Sequence, residues 1–135
     1  MERTYKCSKI AKGNVKAEAL VSRDAVCFYL VVPETGELIE RNHDINGKNV
    51  ANKILVMPSG KGSSVVQADG LYKLLKLGKQ PAGLIVETAD TVLVTAAVAM
   101  EIPMVHKVEE AFFKEVKDGM EITLDAANGV IVARG

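Results

Sequence analysis

The fold is decided by KILVMPSGKGSSVVQADGLYKLLKLG, residues Lys53 to Gly78. It begins with KILVM (Lys53 to Met57), an apolar run of the kind carried by strands buried on both faces of a sheet. Val66, Leu71, Leu74, Leu75 and Leu77 then recur near helical spacing, and Gly78 followed by Pro81 marks a helix stop. Between strand and helix lies PSGKGSS, which holds two glycines, a lysine and three serines in the six residues Ser59 to Ser64.

Downstream the alternation continues. AGLIVE (Ala82 to Glu87) reads as a strand, and DTVLVTAAVAMEI (Asp90 to Ile102) as a helix capped by Asp90 or Thr91. PMVH (Pro103 to His106) is a short strand and KVEEAFFKEVKDG a charged helical turn or two. MEITLDAANGVIVARG is a hairpin turned at Asn128-Gly129. Upstream, KAEALV (Lys16 to Val21) and AVCFYLVV (Ala25 to Val32) are rich in β-formers, with SRD between them as a hairpin or a corner. PETGE supplies a turn, LIER a short strand, and the Asn-Gly of DINGKNV a turn before KILVM. Strands first, then strand-helix-strand units, then a closing hairpin predict a three-layer or barrel-like α/β fold, a single domain over residues 1–135.

Composition narrows the function classes. Lys+Arg and Asp+Glu are both 17, and the lysines are scattered, so no basic stripe calls for nucleic acid or an anionic membrane. Aromatics are only 4% with no Trp, so stacking platforms for single-stranded nucleic acid are scarce and the core must be aliphatic. The N-terminus lacks the apolar h-region of a leader, and the apolar runs fall short of the ~20 residues a membrane span needs, so a cytoplasmic protein is expected. Cys7 and Cys27 are too far apart for a compact metal motif, and Cys27 within AVCFYLVV reads as a buried small hydrophobe. His43 and His106 lie in different surroundings, and no metal site is expected in this chain.

Three readings of the loop compete. A Walker-type phosphate loop fails, because Leu55 stands where its first glycine belongs and Lys61 is followed by Gly62 rather than Ser or Thr. A dinucleotide fingerprint fails at Val65, which occupies the place of its third glycine. There remain a plain glycine turn with Ser63 or Ser64 as N-cap, and an anion or catalytic-serine geometry. In the latter, backbone N–H groups, a helix dipole and the Lys61 ammonium converge on one point. A serine here cannot react unaided. Taking its hydroxyl to resemble bulk water, at about 15.7, ionisation at neutral pH costs roughly 12 kcal/mol, whereas a helix N-terminus offers at most ~2 kcal/mol. Neither histidine is near in sequence and there is no Gly-x-Ser-x-Gly elbow. The additional positive charge must come from outside the chain.

The blocks NVKAEALVS, ETGELIERNHDINGKNVANKILVMPSGKGSS, GKQPAGLIVETAD, VAMEIPMV and DGMEITLDAANGVIV together resemble the small, swivel-domain subunit of the aconitase X family, over nearly the whole chain. The order of the blocks carries more of the resemblance than any one of them.

The resemblance implies a swivelling β/β/α domain docked, as a heterodimer or larger assembly, on a large catalytic subunit that holds a 4Fe-4S cluster, with none bound by this chain. The implied activity is a hydro-lyase acting on a phosphorylated hydroxy acid: dehydration of (R)-5-phosphomevalonate to trans-anhydromevalonate 5-phosphate in the archaeal mevalonate pathway. By correspondence with the Gly-x-Gly-Ser-Ser-Arg loop of aconitases, Ser63 would take the proton beside the leaving hydroxyl. Ser64 would be a supporting donor or cap, Lys61 an electrostatic helper, and Lys61, Gly62 and Ser64 substrate contacts. The cluster iron of the large subunit would act as Lewis acid on the leaving hydroxyl. Val65 departs from the substrate-binding arginine of aconitases, which moves carboxylate recognition to the partner. Members nearer to this chain often carry arginine at the place of Lys61, and lysine forgoes its bidentate binding. Two alternatives stand beside this: dehydration of cis-3-hydroxy-L-proline, which shares the family and the loop, and a non-catalytic swivel or binding module. The closing hairpin resembles those of phosphohistidine swivel domains, which would need an exposed histidine, and only His43 and His106 are candidates.

Overall fold

The computed structural model describes residues 2–135. Eight strands form one sheet: β1 (Glu2–Lys6), β2 (Ser8–Ala11), β3 (Asn14–Val21), β4 (Ile54–Met57), β5 (Gly83–Val86), β6 (Met104–His106), β7 (Glu121–Asp125) and β8 (Val130–Arg134). Three α-helices accompany them, α1 (Ser64–Lys76), α2 (Thr91–Ala99) and α3 (Glu110–Glu115). The strand order is β1-β8-β7-β3-β4-β5-β6-β2, with β3 to β6 mutually parallel and the remaining pairs antiparallel. Only Cys7 separates β1 from β2, so the two ends of that order are one continuous run of chain. The sheet therefore closes on itself as a barrel, with Cys7 N–H donating to Gly129 O at the junction.

Period-two alternation sorts the side chains. Ile54, Val56, Ile85, Ile122 and Ile131 turn into one cluster, the barrel interior. Leu55, Met57, Leu84 and Val86 turn outward into a second cluster under α1 and α2. All four residues of β4, and all four of β5, are buried, which explains why these strands read as unbroken apolar runs. The result is two β walls with a helical layer on one of them, the β/β/α arrangement. On the interior side Phe112 of α3 meets Tyr5 edge-to-face, ring centroids 5.2 Å apart. Burial, then the Glu115 carboxylate that it donates to at 2.6 Å, pushes the Tyr5 hydroxyl up to about 12. Tyr5 is thus a neutral structural donor at physiological pH.

Helix α1 follows the expected spacing and ends as predicted, with Gly78 N–H on Leu75 O and Lys79 N–H on Leu74 O. Helix α2 is capped by Asp90, which accepts Leu93 N–H at 3.2 Å. It stops at Ala99, short of the expected Ile102, because Glu101 takes a left-handed φ of 57° ahead of Pro103.

Three readings are corrected. AVCFYLVV is not a strand: Phe28–Leu30 is a 3₁₀ turn, and only Val26 and Val31 make isolated bridges. Val26, Phe28 and Val31 pack beneath α1 instead of alternating across a sheet. LIER likewise contributes one isolated bridge, Leu38 to Val31, rather than a strand. The N-terminal residues, for which no strand was expected, form β1 and β2 and close the barrel.

Candidate active site

Because β3 to β6 run parallel, their carboxyl ends gather at one end of the barrel, where open α/β sheets place their ligand sites. PSGKGSS leaves the end of β4 and enters α1 there. The loop is pinned from below by the 3₁₀ segment. Val26 N–H donates to Ser59 O at 3.3 Å, and Lys61 N–H donates to Val26 O at 3.1 Å, a parallel bridge between Val26 and Gly60.

Gln67 locks this contact from inside α1. It is fully buried; its Oε1 accepts Phe28 N–H at 2.6 Å and its Nε2 donates to Val26 O at 3.1 Å. A side chain thereby replaces the ladder hydrogen bonds that the 3₁₀ segment lacks. Gly70 lets the helix lie directly on that segment, since a Cβ there would stand 2.4 Å from Tyr29 N. Gly62 makes the turn, with φ of 114°, and a Cβ would press to 3.1 Å from the buried Cys27 Sγ.

Ser63, rather than Ser64, is the N-cap. Its backbone is extended, with φ −72° and ψ 164°, its Oγ accepts Val66 N–H at 3.4 Å, and its carbonyl accepts Gln67 N–H at 2.9 Å. Ser64 is the first helical residue, and its amide and that of Val65 have no acceptor within the helix. Lys61, Gly62, Ser63 and Ser64 are all exposed, so the four predicted residues are brought together on an accessible helix N-terminus. The Lys61 ammonium is paired with the Glu40 carboxylate, which the sequence reading did not single out.

At the end of the neighbouring β3, Asp44 accepts Arg23 N–H at 2.8 Å and pairs with its guanidinium at 3.2 Å. That backbone donor first, then the Arg23 side chain, holds the Asp44 carboxyl below its ordinary value despite some desolvation. His43 is buried with both ring nitrogens engaged. Its Nδ1 accepts Ile45 N–H at 3.1 Å, which makes Nε2 the donor to Ala25 O at 2.8 Å. Neither nitrogen is open to phosphorylation. Burial, aided by Asp125, pushes the Cys7 thiol up to about 11, which favours the neutral thiol over the thiolate at neutral pH. Among the described residues no three His, Cys, Asp or Glu side chains converge as a metal site, and no helix is long and apolar enough to cross a membrane. A cavity of about 780 Å³, lined by Lys9, Lys12, Gly13, Asp125 and Asn128, opens at the other end of the barrel, away from the loop.

Gln67 and Glu40 escaped the sequence reading for different reasons. Gln67 shares a helical face with the buried Leu71 and Leu74, so a polar residue at an apolar position was the available signal. Glu40 lies in an irregular segment 21 residues before Lys61 and leaves no local pattern.

The model of the aconitase X swivel domain matches residues 4–133. The phosphomevalonate dehydratase small subunit of Methanocella arvoryzae is 39% identical over 124 residues, covering 91% of this chain and 93% of that protein. The protein of the same name from Thermococcus sibiricus is 41% identical, with 91% and 92% covered. In structure, the chain is similar to crystalline Thermococcus kodakaraensis aconitase X in its holo-form, with a TM-score of 0.89, 37% identity and 98% and 99% of the two chains covered. A UPF0107 protein solved by solution NMR gives a TM-score of 0.84 at 34% identity, with 96% and 97% covered.

Proposed function

The chain belongs to the aconitase X swivel-domain family, and from that premise we propose that it is the small subunit of a phosphomevalonate dehydratase, a hydro-lyase that converts (R)-5-phosphomevalonate to trans-anhydromevalonate 5-phosphate. The observation that carries its catalytic part is the placement of Ser63 as N-cap of α1 on an exposed loop end.

A base at this position receives a proton as the carbon beside the leaving hydroxyl loses it. The Val66 N–H that points at Ser63 Oγ and the unpaired amides at the start of α1 favour negative charge on that oxygen, and Lys61 adds a cation to the same loop. Ser64 and the Gly62 backbone, beside it in the same loop, would touch the substrate in this reading. Helix terminus and ammonium together fall well short of the roughly 12 kcal/mol that ionising a serine requires, so the site is half of a larger one.

The other half is a large subunit. Its covering face is consistent with exposed Val65, 76% accessible in the first turn of α1, and with exposed Leu30 and Ile39, joined by a backbone hydrogen bond. Among the described residues no donor set fits an iron-sulfur cluster: Cys27 is sealed under Gly62, and Cys7 lies at the barrel seam. In our reading the cluster belongs to the large subunit.

The names of the relatives do not favour dehydration of cis-3-hydroxy-L-proline, and the engaged ring of His43 disfavours that residue as a phosphohistidine carrier. The test is Ser63→Ala in the complex reconstituted anaerobically with its large subunit, assayed with both candidate substrates. Assembly should be retained and turnover of the phosphorylated substrate should fall by several orders of magnitude. Near-normal turnover would refute the assignment of Ser63.

A further inference from the structure

The pair between Lys61 and Glu40 is unlike an ordinary surface ion pair. One oxygen of Glu40 meets the ammonium, while the other, Oε1, is shielded from solvent and meets no hydrogen-bond donor among the described residues. An exposed ion pair adds little stability, and a shielded carboxylate oxygen without a donor costs more than such a pair returns. Stability therefore does not account for it.

The backbone that carries Glu40 is held firmly. Glu40 N–H donates to Asn46 Oδ1 at 2.9 Å, and its carbonyl accepts His43 N–H at 3.1 Å. His43 in turn donates to Ala25 O, next to the Val26 on which Gly60 and Lys61 rest. Carboxylate and lysine thus stand on one connected frame: the Glu40 to Asn46 turn, the Ala25 to Phe28 segment and the loop. Lys61 is a flexible four-carbon stem on a glycine-flanked position, and without a counter-charge its ammonium would sample many positions.

We propose that Glu40 is a positioning residue for the Ser63 site: it fixes the Lys61 ammonium in one place and, by neutralising part of its charge, limits how strongly Lys61 holds an anionic ligand. The inference rests on the functional reading above. Glu40→Gln keeps the shape and removes the charge, so it frees Lys61. The ammonium then grips the phosphorylated substrate more tightly but is no longer aimed, and the two effects separate in KM and kcat.

The experiment is a double-mutant cycle on the reconstituted complex with Glu40→Gln, Lys61→Met and both together, beside Ser63→Ala. Glu40→Gln is expected to lower kcat by about tenfold and to lower KM as well, while adding it to Lys61→Met changes neither. Titration of substrate into Ser63→Ala complexes reads the same coupling without turnover: Glu40→Gln tightens binding only while Lys61 is present. Loss of subunit co-elution in Glu40→Gln, an unchanged kcat, or the same losses in the Lys61→Met background would overturn the inference and leave the assignment of Ser63 standing. Full turnover by Ser63→Ala sinks both.

Discussion

Replacing Gln67 by leucine removes the internal lock between α1 and the segment on which the PSGKGSS loop rests. Two buried hydrogen bonds are lost, but their partners fare differently. Val26 O keeps its bond from Lys61 N–H, whereas Phe28 N–H has Gln67 Oε1 as its acceptor and is left buried without one. The orphaned amide costs ~1–3 kcal/mol and the other bond ~1 kcal/mol, against which the apolar leucine recovers a fraction, so the expected net loss is about 2–3 kcal/mol. Urea unfolding of the isolated chain measures it as a lower midpoint at unchanged slope. Turnover of the complex should fall as well, under conditions where the variant is fully folded, because the backbone contact of Lys61 with Val26 loosens. A loss below about 0.5 kcal/mol would show that the amide finds another acceptor, and the account of the loop as pinned from beneath by Gln67 would be wrong.

Two further perturbations probe the frame. Gly70→Ala raises helix propensity by ~1 kcal/mol, yet its Cβ would lie 2.4 Å from Tyr29 N and 2.5 Å from Phe28 C, so the helix must lift off the segment. A net destabilisation of ~1–3 kcal/mol is expected in the same unfolding assay, and a gain would mean that the segment yields freely. Asp44→Asn tests the depressed carboxyl beside Arg23. Since its folded value lies below the ordinary 3.8, the stabilisation is fully present above about pH 4 and is lost as pH falls through the depressed value. The variant should be weaker than the native chain by ~1 kcal/mol at neutral pH, with the gap closing in acid, and a gap that widened there would contradict the sign.

The parts of the fold that could be read in the sequence are those whose burial is set by neighbours in sequence. Strands β4 and β5, helix α1 and the β7–β8 hairpin announce themselves because each carries its own periodicity and its own stop: Gly78, Pro81, Asn128-Gly129. AVCFYLVV misled because a buried apolar run looks the same whether a sheet or a helix face covers it. What decides between them is Gln67 reaching Phe28 from 39 residues away. Strands β1 and β2 were silent because ERTYK buries only Tyr5 and SKIA only Ala11, too little for an alternating pattern. At the site, the loop and a serine cap at its end follow from local chemistry, whereas the choice of Ser63 over Ser64 needed the backbone geometry. The lysine's counter-charge does not follow from local chemistry, because a glutamate in an irregular segment acquires its meaning from the turn that carries it.

Barrel closure has a consequence for how the molecule comes into being. Glu2 pairs with Arg134 and Lys6 with Val130, so the first strand to leave the ribosome waits for the last. Until β8 emerges, β1 has no partner and β7 exposes an open edge, and joining them demands closing a loop as long as the chain itself. Folding should accordingly be slow for a protein of this size. During that interval the unpaired edges are open to other chains, so the yield of the free subunit should fall with concentration on refolding.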